Sequence, residues 1–168
     1  IPVVKGTSVS SEAWAGDRAE VLTEIGQSLK LPLFVKPATM GSSVGVVKVD
    51  APEMLEAAIA QALKYSLKVV VEQAVDQPLE IEVAVMGNGE PSASIPGQII
   101  PGGEFYDYAD KYINDNSRAV IPAPLDRASL DNIRFMAEEA FAAIGGTGLA
   151  RVDFLVAGEH CYVNEINT

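Results

Sequence analysis

In this chain of 168 residues, four groups of side chains have the types and spacing to do chemistry. The first is Lys36, at the end of the apolar run Leu33-Phe34-Val35. A lysine there is a point charge suited to a phosphate, although most strand-end lysines are only solvated. The second group is the nearby loop Gly41-Ser42-Ser43-Val44-Gly45. Successive backbone N–H groups in such a loop can cradle phosphate oxygens. The pattern is neither Walker A nor GxGxxG, and an ordinary tight turn would use the same residues.

The third group is Asp153, Glu165 and Asn167, with Arg151. Glu165 and Asn167 are two apart on an expected strand and so share a face. Asp153 lies on the preceding strand, and a turn at Gly158 would bring the two strands side by side. Converging hard oxygens suit Mg²⁺, which takes a few carboxylates and keeps room for phosphate and water. Arg151 shares the face of Asp153 and could neutralise developing negative charge. The bland alternative is a polar face with a surface ion pair of little value. Repetition of the pattern on both strands weighs against it.

The fourth group is Phe105-Tyr106-Asp107-Tyr108-Ala109-Asp110-Lys111-Tyr112. It reads either as a locally packed surface loop or as a lid whose Lys111 reaches phosphate. His160 and Cys161 are adjacent, but there is no second His or Cys to complete a zinc site, and Trp14 carries no functional argument.

These groups need elements to hold them. Residues 11–14 read as a helix start, and 17–30 repeat apolar residues at helical spacing (Ala19, Leu22, Ile25, Leu29). Residues 31–35 and 46–49 read as strands around the small-residue loop 38–45. Pro52 suits a first helical turn, with a helix over 53–65. Residues 68–71 read as a buried strand. Residues 79–85 alternate strictly, with Glu80 and Glu82 on the polar face. Gly87-Asn88-Gly89 signals a hairpin with a return strand over 92–100. Residues 101–117 show no period, and connections of that length are usually functional or mobile. A helix over 130–144 ends at Gly145-Gly146, and strands over 150–156 and 161–166 follow. Helices and hairpins without βαβ alternation predict an α+β fold.

Composition sets outer limits. Hydrophobic residues make up 48% and charged residues 21%, as in ordinary globular proteins. A net charge of −11 speaks against nucleic-acid binding and against basic attachment to a membrane surface. No apolar run approaches the roughly 18 residues of a membrane span. A single cysteine excludes an internal disulfide and, with no targeting signal, favours the cytosol. The chain opens on Ile1 and ends just after a strand pattern, so it is expected to be a trimmed piece of a longer protein.

Val35-Lys36-Pro37, the Gly41–Gly45 loop, Val71-Glu72, Phe105-Tyr106-Asp107-Tyr108 with Lys111-Tyr112, Arg151-Val152-Asp153 and Asn164-Glu165-Ile166-Asn167-Thr168 occur in that order. Together they resemble the D-alanine–D-alanine ligase family of the ATP-grasp superfamily, across nearly the whole chain. The resemblance implies an ATP-grasp fold in which two α+β subdomains, here residues 1–75 and 76–168, enclose a nucleotide cleft. It implies ATP-dependent joining of two D-alanine molecules through an acyl phosphate, for peptidoglycan synthesis. ATP and two Mg²⁺, with Mn²⁺ as a substitute, are the implied cofactors. ATP and D-alanine are the implied small-molecule partners, and a homodimer is implied for the full-length protein.

Residue by residue, Lys36 and Lys111 match phosphate-contacting lysines, and Ser43 falls in the phosphate-binding loop. Glu72 matches the acidic residue that holds the adenine, with Ala74 and Val75 supplying hinge backbone. Glu80 matches the ribose-binding carboxylate, and Phe105 and Leu155 match apolar contacts to the base. Asp153, Glu165 and Asn167 match the magnesium ligands. Arg151 matches the arginine that stabilises the acyl phosphate, and Ser42 and Tyr112 match a hydrogen-bonded pair at the substrate site. Asp76-Gln77-Pro78-Leu79 replaces the usual Gly-Arg before that ribose carboxylate, which leaves Glu82 as the alternative to Glu80.

The family's amino-terminal domain, a preceding ATP-contacting lysine and a following Pro-Gly segment are absent. The chain as it stands is therefore expected not to be a competent ligase. A D-alanine–D-lactate or D-serine ligase, or a non-catalytic nucleotide-binding module, are the alternatives. The Tyr106–Tyr112 residues favour D-alanine, and the retained Arg151, Asp153, Glu165 and Asn167 favour catalysis.

Overall fold

The computed structural model describes residues 1–100 and 118–168. They divide into two compact units, one of Val4–Ala74 and one of Val75–Thr168 joined by Ile1–Val3. Among the described residues no helix is long and apolar enough to cross a membrane.

The Val4–Ala74 unit contains β1 (Gly6–Ser10), α1 (Ser11–Gly16), α2 (Arg18–Ser28), β2 (Leu33–Pro37), β3 (Val47–Val49), a 3₁₀ turn (Pro52–Met54), α3 (Leu55–Ala62) and β4 (Lys68–Gln73). The four strands form an antiparallel sheet in the order β1-β4-β2-β3. Strand alternation turns Leu33, Val35, Val69 and Val71 into a core with Ile25 and Ile59. It leaves Phe34, Lys36, Val70 and Glu72 on the opposite face.

Two expectations change here. Strand β1 was not legible, because Gly-Thr-Ser-Val-Ser buries only Val9 and the strand exists by pairing with β4. The periodic stretch 17–30 begins at a cap. Asp17 ends α1 and starts α2, and its carboxylate accepts from the Glu20 N–H at 3.0 Å.

The second unit contains β5 (Leu79–Gly87), β6 (Ser92–Ala93), β7 (Gly97–Ile100), β8 (Arg118–Val120), α4 (Arg127–Ala143), β9 (Gly148–Ala157) and β10 (His160–Asn167). Its described strands run β10-β9-β5-β7-β8, all antiparallel, with β6 beside β5. Ile81, Val83, Val152 and Phe154 face a core that includes Ile133, Ala137 and Phe141 of α4. The other residues of β5 and β9 form a face without that helix.

The return strand expected over 92–100 is broken into β6 and β7 at Ser94-Ile95-Pro96, since proline has no N–H for a ladder. Helix α4 starts three residues before the expected 130 because Asp126 caps it, accepting from the Ser129 N–H at 2.9 Å. Its end is a Schellman motif, with Gly145 at φ 66°, the Gly145 N–H donating to Ala142 and the Gly146 N–H to Phe141.

Candidate functional site

In the Val4–Ala74 unit, Lys36 Nζ lies 2.7 Å from Glu72 Oε2. The two are not directly opposed. Phe34 pairs with Glu72 and Lys36 with Val70, so the ion pair runs diagonally across β2 and β4. On the other side of Glu72 stands Gly6, where a Cβ would come within 2.9 Å of Glu72 Cγ. A glycine at that position gives the Glu72 side chain its room. Ala74 follows β4 and donates its N–H to the Pro32 carbonyl at 2.9 Å, and Val75 begins the other unit.

The loop after β2 differs from a simple glycine turn. Ser42 and Ser43 both have positive φ, 54° and 59°, and the Val44 N–H donates to the Gly41 carbonyl at 3.2 Å. Positive φ at both central residues is the pattern of a type I′ turn, which favours Asn and Gly. Two serines held there carry backbone strain on the order of 1–2 kcal/mol each. Gly45, at φ 75°, is required on both counts, since a Cβ would meet Tyr65 Cδ2 at 2.7 Å and Pro37 Cγ at 2.9 Å. Gly41 faces open space.

In the second unit, the open sheet face gathers the other candidates. Arg151 grips Asp153 with two bonds, Nε donating to Oδ1 at 2.7 Å and Nη2 to Oδ2 at 2.8 Å. Asn167 donates to the same Oδ2 at 3.0 Å. Glu165 is the cross-strand partner of Asp153, and Asn167 that of Arg151. The hydrogen bond that Arg151 donates to Asp153 raises the Arg151 pKa above its ordinary value against the effect of burial, with smaller contributions from the charges of Asp153, Glu82 and Glu165. Glu80 lies directly opposite Leu155 on this face.

Sequence reasoning missed Glu82 as part of the Arg151 cluster. It pairs across the ladder with Asp153, and its Oε1 lies 3.5 Å from Arg151 Nε. The signal was present in the alternation of Glu80 and Glu82, but the register that sets Glu82 beside Asp153 is a long-range fact. Glu82 and Arg151 also line a shallow hollow with Ser94, Ile95, Ile99 and Ile121.

Among the described residues, no group of three or more His, Cys, Asp or Glu side chains is gathered for a metal. The set here is two carboxylates and an amide on adjacent strands. That donor chemistry fits Mg²⁺, which is satisfied by one or two carboxylates with phosphate and water, and not a softer metal. Phe105, Lys111 and Tyr112, and with them the Ser42–Tyr112 pair, lie outside the described residues.

A family model described as the D-ala D-ala ligase C-terminus matches residues 1–168. A D-alanine–D-alanine ligase of Natranaerobius thermophilus is 45% identical over 163 residues, covering 96% of this chain and 44% of that protein. One of Heliobacterium modesticaldum is 46% identical, covering 100% and 46%. Among solved structures, the VanG D-Ala:D-Ser ligase of Enterococcus faecalis superposes with a TM-score of 0.85 at 31% identity, over all of this chain and 48% of that one. D-alanyl-alanine synthetase A of Vibrio cholerae gives 0.81 at 35%, over 100% and 51%. The chain spans about half the length of the relatives it matches. With two antiparallel α+β units of ATP-grasp type, it belongs to the family of D-alanine–D-alanine ligase C-termini.

Proposed function

We propose that this chain is the ATP-grasp portion of a cytosolic enzyme that joins two D-alanine molecules at the expense of ATP, through an acyl phosphate, for peptidoglycan synthesis. The two units would be the two ATP-grasp subdomains expected at residues 1–75 and 76–168, except that Ile1–Val3 and Val75 group with the second and not the first. The observation that carries the proposal is the cluster of Arg151, Asp153, Glu165 and Asn167 on one open sheet face.

Asp153, Glu165 and Asn167 would hold Mg²⁺. Bound there, the metal would supply positive charge that neutralises the negative charge of phosphoryl transfer. Arg151 supplies an always-charged fork for the oxygens of the acyl phosphate. Lys36 and the amides of the Ser42-Ser43 turn bind phosphate, while Glu72 and the Ala74-Val75 backbone hold the base. Glu80 takes the ribose hydroxyls, with Leu155 as an apolar contact beside it. Phe105, Lys111, Ser42 and Tyr112 keep their family roles in this proposal.

The test uses the full-length protein. Phosphate release is measured with D-alanine, D-serine and D-lactate as second substrate. Release that requires D-alanine, and falls by about 10²–10³-fold in Arg151→Ala, is expected. Equal release with no D-amino acid present would overturn the ligase assignment.

A further inference from the structure

Arg151 is shared between two carboxylates on different strands. Its Nε carries one hydrogen, which points to Asp153 Oδ1 at 2.7 Å, while Glu82 Oε1 lies 3.5 Å from the same nitrogen. Asp153 is the less exposed of the two acids, with 15% of its side chain accessible against 25% for Glu82. A carboxylate offers about four lone-pair sites. Arg151 takes one on each oxygen of Asp153, and Asn167 takes a second on Oδ2. Three of those sites are therefore already bonded, two of them to a cation, on the acid assigned as a metal ligand.

A divalent ion and a guanidinium compete for the same negative charge, and in a half-buried site they repel one another. Direct cross-strand pairing sets the Glu82 and Asp153 side chains side by side on one face. A small swing of Arg151 would move the Nε hydrogen from one acid to the other with no change in the sheet.

We propose that Glu82 is a positioning residue that receives the Arg151 guanidinium when Asp153 takes a divalent cation. This rests on the assignment of Asp153 as a metal ligand. The exchange frees Asp153 while keeping Arg151 on the same face, beside the metal, where the phosphoryl oxygens arrive.

The experiment measures Mn²⁺ affinity by electron paramagnetic resonance, on the full-length protein with a non-hydrolysable ATP analogue, together with the melting temperature. Glu82→Gln is expected to weaken Mn²⁺ about tenfold, as loss of an outer partner of a metal ligand does, with melting unchanged. In an Arg151→Met background the same substitution should have no further effect, since Arg151 is then no longer there to be received. A simple loss of negative charge near the metal would weaken Mn²⁺ equally in both backgrounds, and that result overturns the proposal. So does unchanged Mn²⁺ affinity in Glu82→Gln while Asp153→Asn abolishes binding. If Asp153→Asn leaves Mn²⁺ affinity intact, the underlying ligand assignment fails instead. Should Glu82→Gln not fold, Glu82→Asp gives the same comparison, with partial retention of affinity expected only when Arg151 is present.

Discussion

Glu165 stands directly across the β9–β10 ladder from Asp153 because Asn164 is one residue more than the ladder can pair. From His160 to Val163 the strand pairs in one register, and from Glu165 to Asn167 in a register shifted by one. Had the first register continued, Asn164 would face Asp153, and Glu165 and Asn167 would turn toward the core. The bulge keeps the side chains proposed as metal ligands on the open face.

Deleting Asn164 is expected to merge the two registers into one, with Glu165 still across from Asp153 and Asn167 across from Arg151, so divalent-cation binding should be largely retained while the local bend of the bulge is lost. Asn164→Ala keeps the extra residue and should retain most of the binding. Mn²⁺ titration of both variants of the full-length protein decides the matter, and abolished binding in the deletion variant alone would contradict this register argument.

The serine turn yields a second prediction. Ser43→Gly relieves a left-handed residue and should be neutral or stabilising by up to about 1 kcal/mol, the gain offset by a freer unfolded chain. Gly45→Ala should cost about 1 kcal/mol or more, since it adds positive-φ strain and a clash with Tyr65 and Pro37. Urea denaturation compares the two. A Ser43→Gly variant that is the less stable of the pair would refute the strain.

Each unit has its own core, so large-to-small changes should act locally. Ile59→Ala is expected to destabilise the Val4–Ala74 unit by about 2–5 kcal/mol, and Phe154→Ala the second unit by about 3–5 kcal/mol. Both side chains are almost fully buried, at 0% and 1% exposure. Amide hydrogen exchange should show faster opening confined to the substituted unit. Uniform loss of protection across both would show that they unfold together.

Cys161 packs on the core side of β10, and burial pushes its thiol up to about 11. The fold thus favours the neutral form. Its contribution to stability is whole below the unfolded value of about 8.5 and is lost as pH rises through the folded value. Alkylation by iodoacetamide near pH 8 should be slower than for a free thiol by on the order of a hundredfold. An alkylation midpoint at the free-thiol value would show the thiol to be solvated.

Much of this protein can be read from local pattern. Strict alternation in Leu79–Val85 sets Glu80 and Glu82 on one face, because strand side chains repeat every two residues. The Gly145-Gly146 stop marks a helix end, because a left-handed residue costs glycine little. The residue types of Lys36, Arg151, Asp153, Glu165 and Asn167 already suggest the chemistry proposed for them. Tertiary structure decided what depends on partners distant in sequence. Strand β1 is mostly polar and exists through β4. Glu72 reaches Lys36 because Gly6 makes room for it. Glu82 lies beside Asp153, and Glu165 faces it, only through register and one unpaired residue. Side-chain chemistry is a property of a residue, but register is a property of two strands, and no single stretch of sequence contains it.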